Sequence, residues 1–342
     1  MQGRVDLPDL PSFYHDKIEF EGKNFVPFPP GASFLLIPFL MVSKLITQQQ
    51  VSIIIGSFSI TLMYLLLQKF TSRLNAILLT LFFGFGTSFF WTAVVGTTWF
   101  FAHVSAVFFL LISLLLLFSK KDFLSGIFFA LAALTRLPLI IAGLFYLFQL
   151  VKERKRFIYF LFGSFIFIPI MLTYNFLRFG NVFEMGYKIV YNQYNNSGIK
   201  VSISDNFGYF SYKNIPLHLY SFFAMPPNIE IADGIIKNIK PSPFGMGIIF
   251  TSPLLLLVFW PKFKKGIELN SALTALFCAL PSFFHYAQGW VQFGYRFILD
   301  FIVFLMIVLA MRFKATRLNM FLIVISILIN FWGVLWAIEL GW

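Results

Sequence analysis

Beyond Gly31 the chain is a succession of long apolar runs separated by short polar connections. Runs approaching the roughly twenty residues that a membrane-crossing helix needs occupy 51–67, 76–94, 99–118, 137–151, 157–177, 244–260, 269–286, 297–311 and 318–338. A shorter run, 123–135, joins 137–151 through Thr135-Arg136-Leu137-Pro138. Such a join predicts a tight helical hairpin or a broken helix, and the alternation of loop charges along the chain fits the hairpin. The run at 32–46 is too short to cross and predicts a helix lying on the membrane. The pattern therefore predicts an all-α polytopic membrane protein of roughly ten transmembrane helices plus one interfacial helix. It forms a single domain: an acidic loop at 1–31, the interfacial helix at 32–46, a helical bundle over 51–177, a long loop at 178–243 and the C-terminal helices over 244–342.

Composition agrees. Hydrophobic residues make up 59% and charged residues 12% of the 342, with a mean hydropathy of +0.82. No water-soluble core could bury that much apolar surface. A formal charge of +12 would point to nucleic acid in a soluble protein. Here most of the bases sit in short loops, so nucleic acid is excluded as a partner. The loops at 69–73, 120–122, 152–156, 262–268 and 312–317 hold fourteen Lys or Arg against three acids, Asp122, Glu153 and Glu268. The positive-inside rule puts these loops in the cytoplasm. The N-terminal segment, 95–98, the turn at Arg136, 178–243 and 287–295 then face outward from the cytoplasmic membrane. A lone cysteine, Cys278, within an apolar run excludes a disulfide framework and a thiolate metal site.

The candidate chemistry gathers on that outward side. Five of the fourteen acids, Asp6, Asp9, Asp16, Glu19 and Glu21, precede Gly31, where carboxylates stay hydrated and ionised at little cost. They leave room for a divalent cation, although no spacing fixes one. His103, Arg136, Arg178, Tyr187 and the stretch from His285 to Arg296 complete the polar set. Asp300 lies well inside an apolar run, four residues after Arg296. On an α-helix the two share a face, and a buried carboxylate needs a partner, so an Arg296–Asp300 pair is expected. The tyrosines at 187, 191, 194, 209 and 212 mix stacking surface with hydroxyls, a combination suited to sugars.

The order of several short motifs resembles the GT-C class of integral-membrane glycosyltransferases, which includes protein O-mannosyltransferases and lipid A aminoarabinose transferases. These motifs are Gly22-Lys23-Asn24-Phe25-Val26-Pro27-Phe28-Pro29-Pro30-Gly31, Trp99-Phe100-Phe101-Ala102-His103, Ala132-Ala133-Leu134-Thr135-Arg136-Leu137-Pro138, Tyr174-Asn175-Phe176-Leu177-Arg178-Phe179-Gly180, Pro243-Phe244-Gly245 with Thr251-Ser252-Pro253, and Gly294-Tyr295-Arg296-Phe297. They span nearly the whole chain. The resemblance implies a polyprenyl-phosphate sugar donor, a glycan, lipid or protein acceptor among membrane lipids, and an outward-facing site. It also implies an acid in the first outer loop acting as base or acceptor-positioning group, with cations holding the phosphate leaving group. On this sequence the acid is Asp16, then Glu19 and Glu21. The donor-side residues are Arg136 and Arg296, with His103, Arg178, Tyr187, Tyr295 and Asp300 around them. Class members carry a transmembrane helix and an acidic motif ahead of this loop, whereas here Met1 begins within it. Either the base is an acid still present, or it lies upstream.

Three other readings stay open. A lipid-sugar flippase or transporter predicts internal repeats and polar groups near the bilayer midplane, neither of which the sequence displays. A surface-glycan polymerase or ligase would use the same donor but rely on outer-loop arginines and a histidine. A catalytically inactive GT-C relative would keep the fold alone.

Overall fold

The computed structural model describes residues 4–7, 17–197, 207–260 and 262–339. Its helices are α1 (Gly31–Val42), α2 (Gln48–Leu67), α3 (Arg73–Phe85), α4 (Ser88–Val95), α5 (Trp99–Phe118), α6 (Asp122–Thr135), α7 (Gly143–Leu150), α8 (Arg154–Ser164), α9 (Phe167–Phe179), α10 (Tyr187–Ser197), α11 (Ile215–Phe223), α12 (Ile248–Thr251), α13 (Ile267–Phe284), α14 (Ile302–Arg312) and α15 (Arg317–Glu339). Short 3-10 helices at Leu137–Ala142, Pro253–Phe259 and Arg296–Asp300 lead into or follow α7, α12 and α14. Three two-stranded sheets pair β1 (Ile18–Phe20) with β2 (Lys23–Phe25), β3 (Asn228–Ala232) with β4 (Ile235–Lys240), and β5 (Phe244–Met246) with β6 (Gln292–Gly294).

Among the described residues five helices are long and apolar enough to cross a membrane: α2, α5, the continuous pair α8–α9, α13 and α15. A sixth crossing arises if α3 and α4, bent by 51°, count as one. The architecture is that of a helical multi-pass membrane protein. The expected ten crossings would also need α6, the 137–150 segment, α14 and the broken 248–259 segment, all of them shorter than a full span. At twelve residues, or about 18 Å, α1 does not cross on its own.

Local chemistry explains the breaks. The bend between α3 and α4 falls at Gly86-Thr87, where Thr87 Oγ1 donates to the Phe83 carbonyl at 2.7 Å and accepts from Phe89 N at 3.2 Å. One hydroxyl thereby closes one helix and caps the next. Thr47 and Gln50 form a reciprocal capping box at the start of α2. The helix α6 ends where Arg136 turns to extended backbone ahead of Pro138.

Packing is organised around α5, which buries fourteen of its twenty residues between α2, α6 and α4. In lipid, helices associate through close van der Waals fit, and small residues let backbones approach. Gly126 of α6 and Gly163 of α8 do this reciprocally. A Cβ on Gly126 would run into the Phe160 carbonyl oxygen, and one on Gly163 into that of Phe123. Gly31, at the start of α1, lies against the Leu134–Thr135 backbone with no room for a side chain. The Pro29-Pro30-Gly31 motif thereby docks the N-terminal segment onto the end of α6, next to Arg136.

Candidate functional site

At both ends of α6 a partly buried arginine is paired with a buried aspartate, and the one at its C-terminal end, Arg136, lines a cavity. At that end a cavity of about 900 Å³ lies between the 137–142 turn, α10, the end of α13, the 285–297 loop and the 97–100 segment. The volume suits a ligand of drug size or larger.

Arg136 and Arg296 both line it. Arg136 makes two parallel charge-assisted bonds to Asp300, Nε to Oδ1 at 2.9 Å and Nη2 to Oδ2 at 2.6 Å, the geometry that favours arginine over lysine. Nη1 is not used by any hydrogen bond to the described residues. Asp300 is fully buried behind the cavity wall, and His103 stands behind it with Nδ1 3.3 Å from Asp300 Oδ1. The expected Arg296–Asp300 pair is therefore corrected to Arg136–Asp300. Residues 296–300 form a 3-10 helix, whose three-residue turn takes positions 296 and 300 off a shared face.

Arg296 is positioned by its own loop. Its Nη1 donates to the Trp290 carbonyl at 3.1 Å, and its guanidinium lies 5.3 Å from the Phe297 ring centroid and 5.4 Å from that of Phe100. Phe297 also has Arg136 5.8 Å from its centroid, so both cations lie near one aromatic ring. The loop is held by Gln292, fully buried, whose amide nitrogen donates to Phe244 O at 2.8 Å and Gln288 O at 2.9 Å. That places Arg296 through the β5–β6 pairing of Phe244 with Gln292 and Met246 with Gly294.

Backbone strain marks the same place. Thr98 and Val291 hold φ at +45° and +50°, outliers for β-branched residues that cost about 1–3 kcal/mol each. Both line the cavity. Of the five non-glycine residues with positive φ among those described, these are the two β-branched ones. Thr98 is pinned by its amide donating to Gln48 Oε1 at 2.8 Å. Such strain concentrates at binding and catalytic sites.

Most of the rest of the lining is apolar or aromatic, including Leu137, Pro138, Ile140 and Ile141 with Tyr187, Tyr194, Tyr209 and Tyr286, and Thr97 and Ser282 add hydroxyls. Tyr191 supports this wall, its ring 4.9 Å from Tyr286 and 5.6 Å from Tyr209. His285 also lines the cavity, with Nδ1 against the backbone of Ala287. No carboxylate is among the described lining residues.

The other sequence candidates fall elsewhere. Tyr295 is buried behind the wall, its hydroxyl 2.8 Å from His218 Nδ1. Arg178 serves the N-terminal segment: Nη1 donates to Val26 O at 2.9 Å, Nη2 to Asn175 Oδ1 at 3.1 Å, and Tyr174 stacks under the guanidinium at 4.0 Å. Glu19 is exposed and paired to Lys17 at 2.6 Å. Glu21 occupies the β1–β2 turn and borders, with Arg178, a separate crevice of about 160 Å³. The structure thus brings neither glutamate to the large cavity. Asp16 and Asp9 lie outside the described residues. Asp6 is bonded to Arg4, which holds its carboxyl down at about 2, a poor proton acceptor. Among the described residues no three His, Cys, Asp or Glu converge to hold a metal ion.

Sequence reasoning collected His285, Tyr194 and Tyr209 only as members of polar stretches, and did not single out Thr97 and Thr98 for a site. The signal available for the threonines was their place in a short connection beside Trp99, on the side where the other candidates gather.

A helical multi-pass membrane protein with a cation-headed, apolar-walled cavity at one end of its bundle is the class that fold and site define. No family model, curated protein or solved structure matches the chain.

Proposed function

We propose that this chain is a membrane glycosyltransferase of the GT-C class, moving a sugar from a polyprenyl-phosphate donor to a lipid, glycan or protein acceptor at the outer face of the cytoplasmic membrane. The bundle crosses the membrane ten times, the shorter helices included, with α1 at the interface and the basic loops inside. The observation that carries the reading is the cavity's division of labour. Two guanidinium groups, 5.8 and 5.3 Å from the Phe297 ring centroid, are in its lining, and most of the remaining lining is apolar or aromatic. A lipid phosphate has the same two-part character.

During transfer the bond from the sugar's anomeric carbon to the phosphate oxygen breaks, and a bond from the acceptor oxygen forms. The electron pair leaves with the phosphate, and the acceptor's proton passes to a base. Arg136, through Nη1, and Arg296 stabilise the growing phosphate charge without reorganising, because Asp300 and Trp290 O already hold them. Asp16 takes the proton.

One observation favours a second reading. The described lining holds two arginines and His285 and no carboxylate, the set expected of a surface-glycan polymerase or ligase using a lipid-linked donor. Transfer of radiolabelled sugar from defined polyprenyl-phosphate donors in membranes tests both. The glycosyltransferase reading expects transfer that Arg296→Gln and Asp16→Asn each abolish. Transfer that survives Asp16→Asn but is lost in His285→Ala, with growth of a glycan chain as product, moves the assignment to the second. No transfer from any such donor overturns both.

A further inference from the structure

The β3–β4 hairpin is two-faced in a way that none of the spans explains. Its strands are joined by Asp233-Gly234, both at positive φ, as a tight two-residue hairpin turn requires. The register pairs Ile229 with Ile239 and Ile231 with Ile236, on one face, and Asn228 with Lys240 and Glu230 with Asn238 on the other. A bulge between Glu230 and Ile231 leaves Lys237 unpaired and keeps these four isoleucines on the same side, while the fifth, Ile235, pairs with Ala232 beside the turn on the other face, 63% exposed. On the polar face Lys240 Nζ bonds Glu230 Oε1 at 2.8 Å. The four isoleucines are 43 to 66% exposed, yet the hairpin belongs to no helix that lipid would surround.

We propose that this hairpin is a membrane-surface anchor, its isoleucine face immersed among lipids at headgroup depth and its polar face in water. Three features select lipid as the occupant. An isolated two-stranded hairpin with an uncovered apolar face is marginal in water and an aggregation hazard, so something covers it. The face has none of the Trp, Tyr or Arg anchors that dominate protein interfaces. It is also continuous along the chain with the apolar exterior of the bundle. The hairpin leaves from α11, which exposes Leu219 and Tyr220, and returns to α12, which exposes Ile249 and Phe250. Depth is set by the strand edges: unpaired backbone groups cannot sit in hydrocarbon, whereas the interfacial zone hydrates them while taking up an apolar face. The anchor is independent of what the cavity binds.

The test places single cysteines, labelled with an environment-sensitive fluorophore, at Ile236 and at Asn238 in a Cys278→Ala background, with the full chain in phospholipid vesicles. The expected result is that the probe at 236 is quenched by nitroxide-bearing lipid and shielded from aqueous iodide, while the probe at 238 behaves oppositely. Equal iodide quenching at both positions overturns the proposal by placing both faces in water. Shielding at 236 without lipid quenching, lost when the protein is diluted in lipid, also overturns it and assigns the face to a second copy. Amide hydrogen exchange over 228–240 in the unsubstituted chain provides a second measurement. Exchange markedly slower in vesicles than in an Ile231→Asp, Ile236→Asp variant agrees with the anchor, and identical exchange overturns it.

Discussion

The two ends of α6 carry the same chemical pair and put it to different uses. At its start, Asp122 accepts from Arg156 Nε and Nη2, both at 2.9 Å. The remaining Arg156 donors go to Glu153 and to the Leu117 carbonyl. At its end, Arg136 binds Asp300 in the same forked geometry, but with Nη1 unbonded among the described residues and a cavity in front of it. Arg312 repeats the first pattern, with Nε on Glu268 and its other nitrogens on the carbonyls of Leu257, Val258, Trp260 and Lys262. An arginine with all three nitrogens bonded within the protein acts as a staple. One with a terminal nitrogen unbonded to the described residues, next to an open volume, is a candidate receptor. The difference teaches that a buried ion pair in such a bundle carries no functional meaning until its unused donors and the space around them are known.

The comparison breaks most directly at the pairs. Asp300→Ala leaves Arg136 uncompensated, and Arg156→Ala does the same to Asp122. Each is expected to cost about 3–5 kcal/mol in reversible unfolding from bilayer mimetics. Replacing both partners, as Arg136→Met with Asp300→Leu, is expected to recover most of that stability while abolishing binding of polyprenyl phosphate. A double variant that still binds would show that Arg136 is a staple too.

Affinity then separates the ends. Arg296→Gln is expected to weaken polyprenyl phosphate binding about ten- to hundredfold, since a hydrogen bond to a charged group is worth roughly 1.5–3 kcal/mol. Arg312→Gln is expected to lower stability and leave binding unchanged. Titration of both variants in nanodiscs decides this, and equal losses of affinity would erase the distinction.

Smaller effects sharpen it. Gly163→Ala forces α8 off α6 and should cost about 1–3 kcal/mol as overpacking, with the unfolding transition as readout. Tyr146→Phe removes a hydroxyl that meets Ser113 Oγ at 2.6 Å midway along the bundle. It should cost about 1 kcal/mol and leave polyprenyl phosphate affinity untouched. A change in affinity would reveal coupling between the middle of the bundle and the cavity.

The long helices were legible because twenty consecutive apolar residues admit few alternatives. The run at 99–118 coincides with α5, and that at 318–338 falls one residue inside α15 at each end. The interruption at Arg136-Leu137-Pro138 was legible because a charge and a proline interrupt the apolar run together, whereas Pro38 and Pro281 stand inside α1 and α13. The break at Gly86-Thr87 was not, because a glycine and a threonine are tolerated in straight membrane helices, and only tertiary packing decides that these two cap instead. The β3–β4 turn announced itself as Asp-Gly, but apolar patterning draws the eye to helices in a chain this hydrophobic. The partner of Asp300 was illegible for a deeper reason. Spacing along one helix predicts neighbours only if the backbone there is α-helical, and contacts between distant elements leave no trace in a single sequence. Arg136 and Arg296 could be nominated from position and charge, but that one is tied to Asp300 and the other to its own loop had to be seen.

The separation between Arg136 and Asp300 also has a consequence in time. The two are 164 residues apart, so at roughly 5–20 residues per second of synthesis the arginine emerges on the order of ten seconds or more before its carboxylate exists. Through that interval the nascent bundle holds a cation at the end of α6 without its counter-ion. Completion of the 296–312 segment discharges it. Any product that stops short of Asp300 leaves the Arg136 guanidinium without this carboxylate.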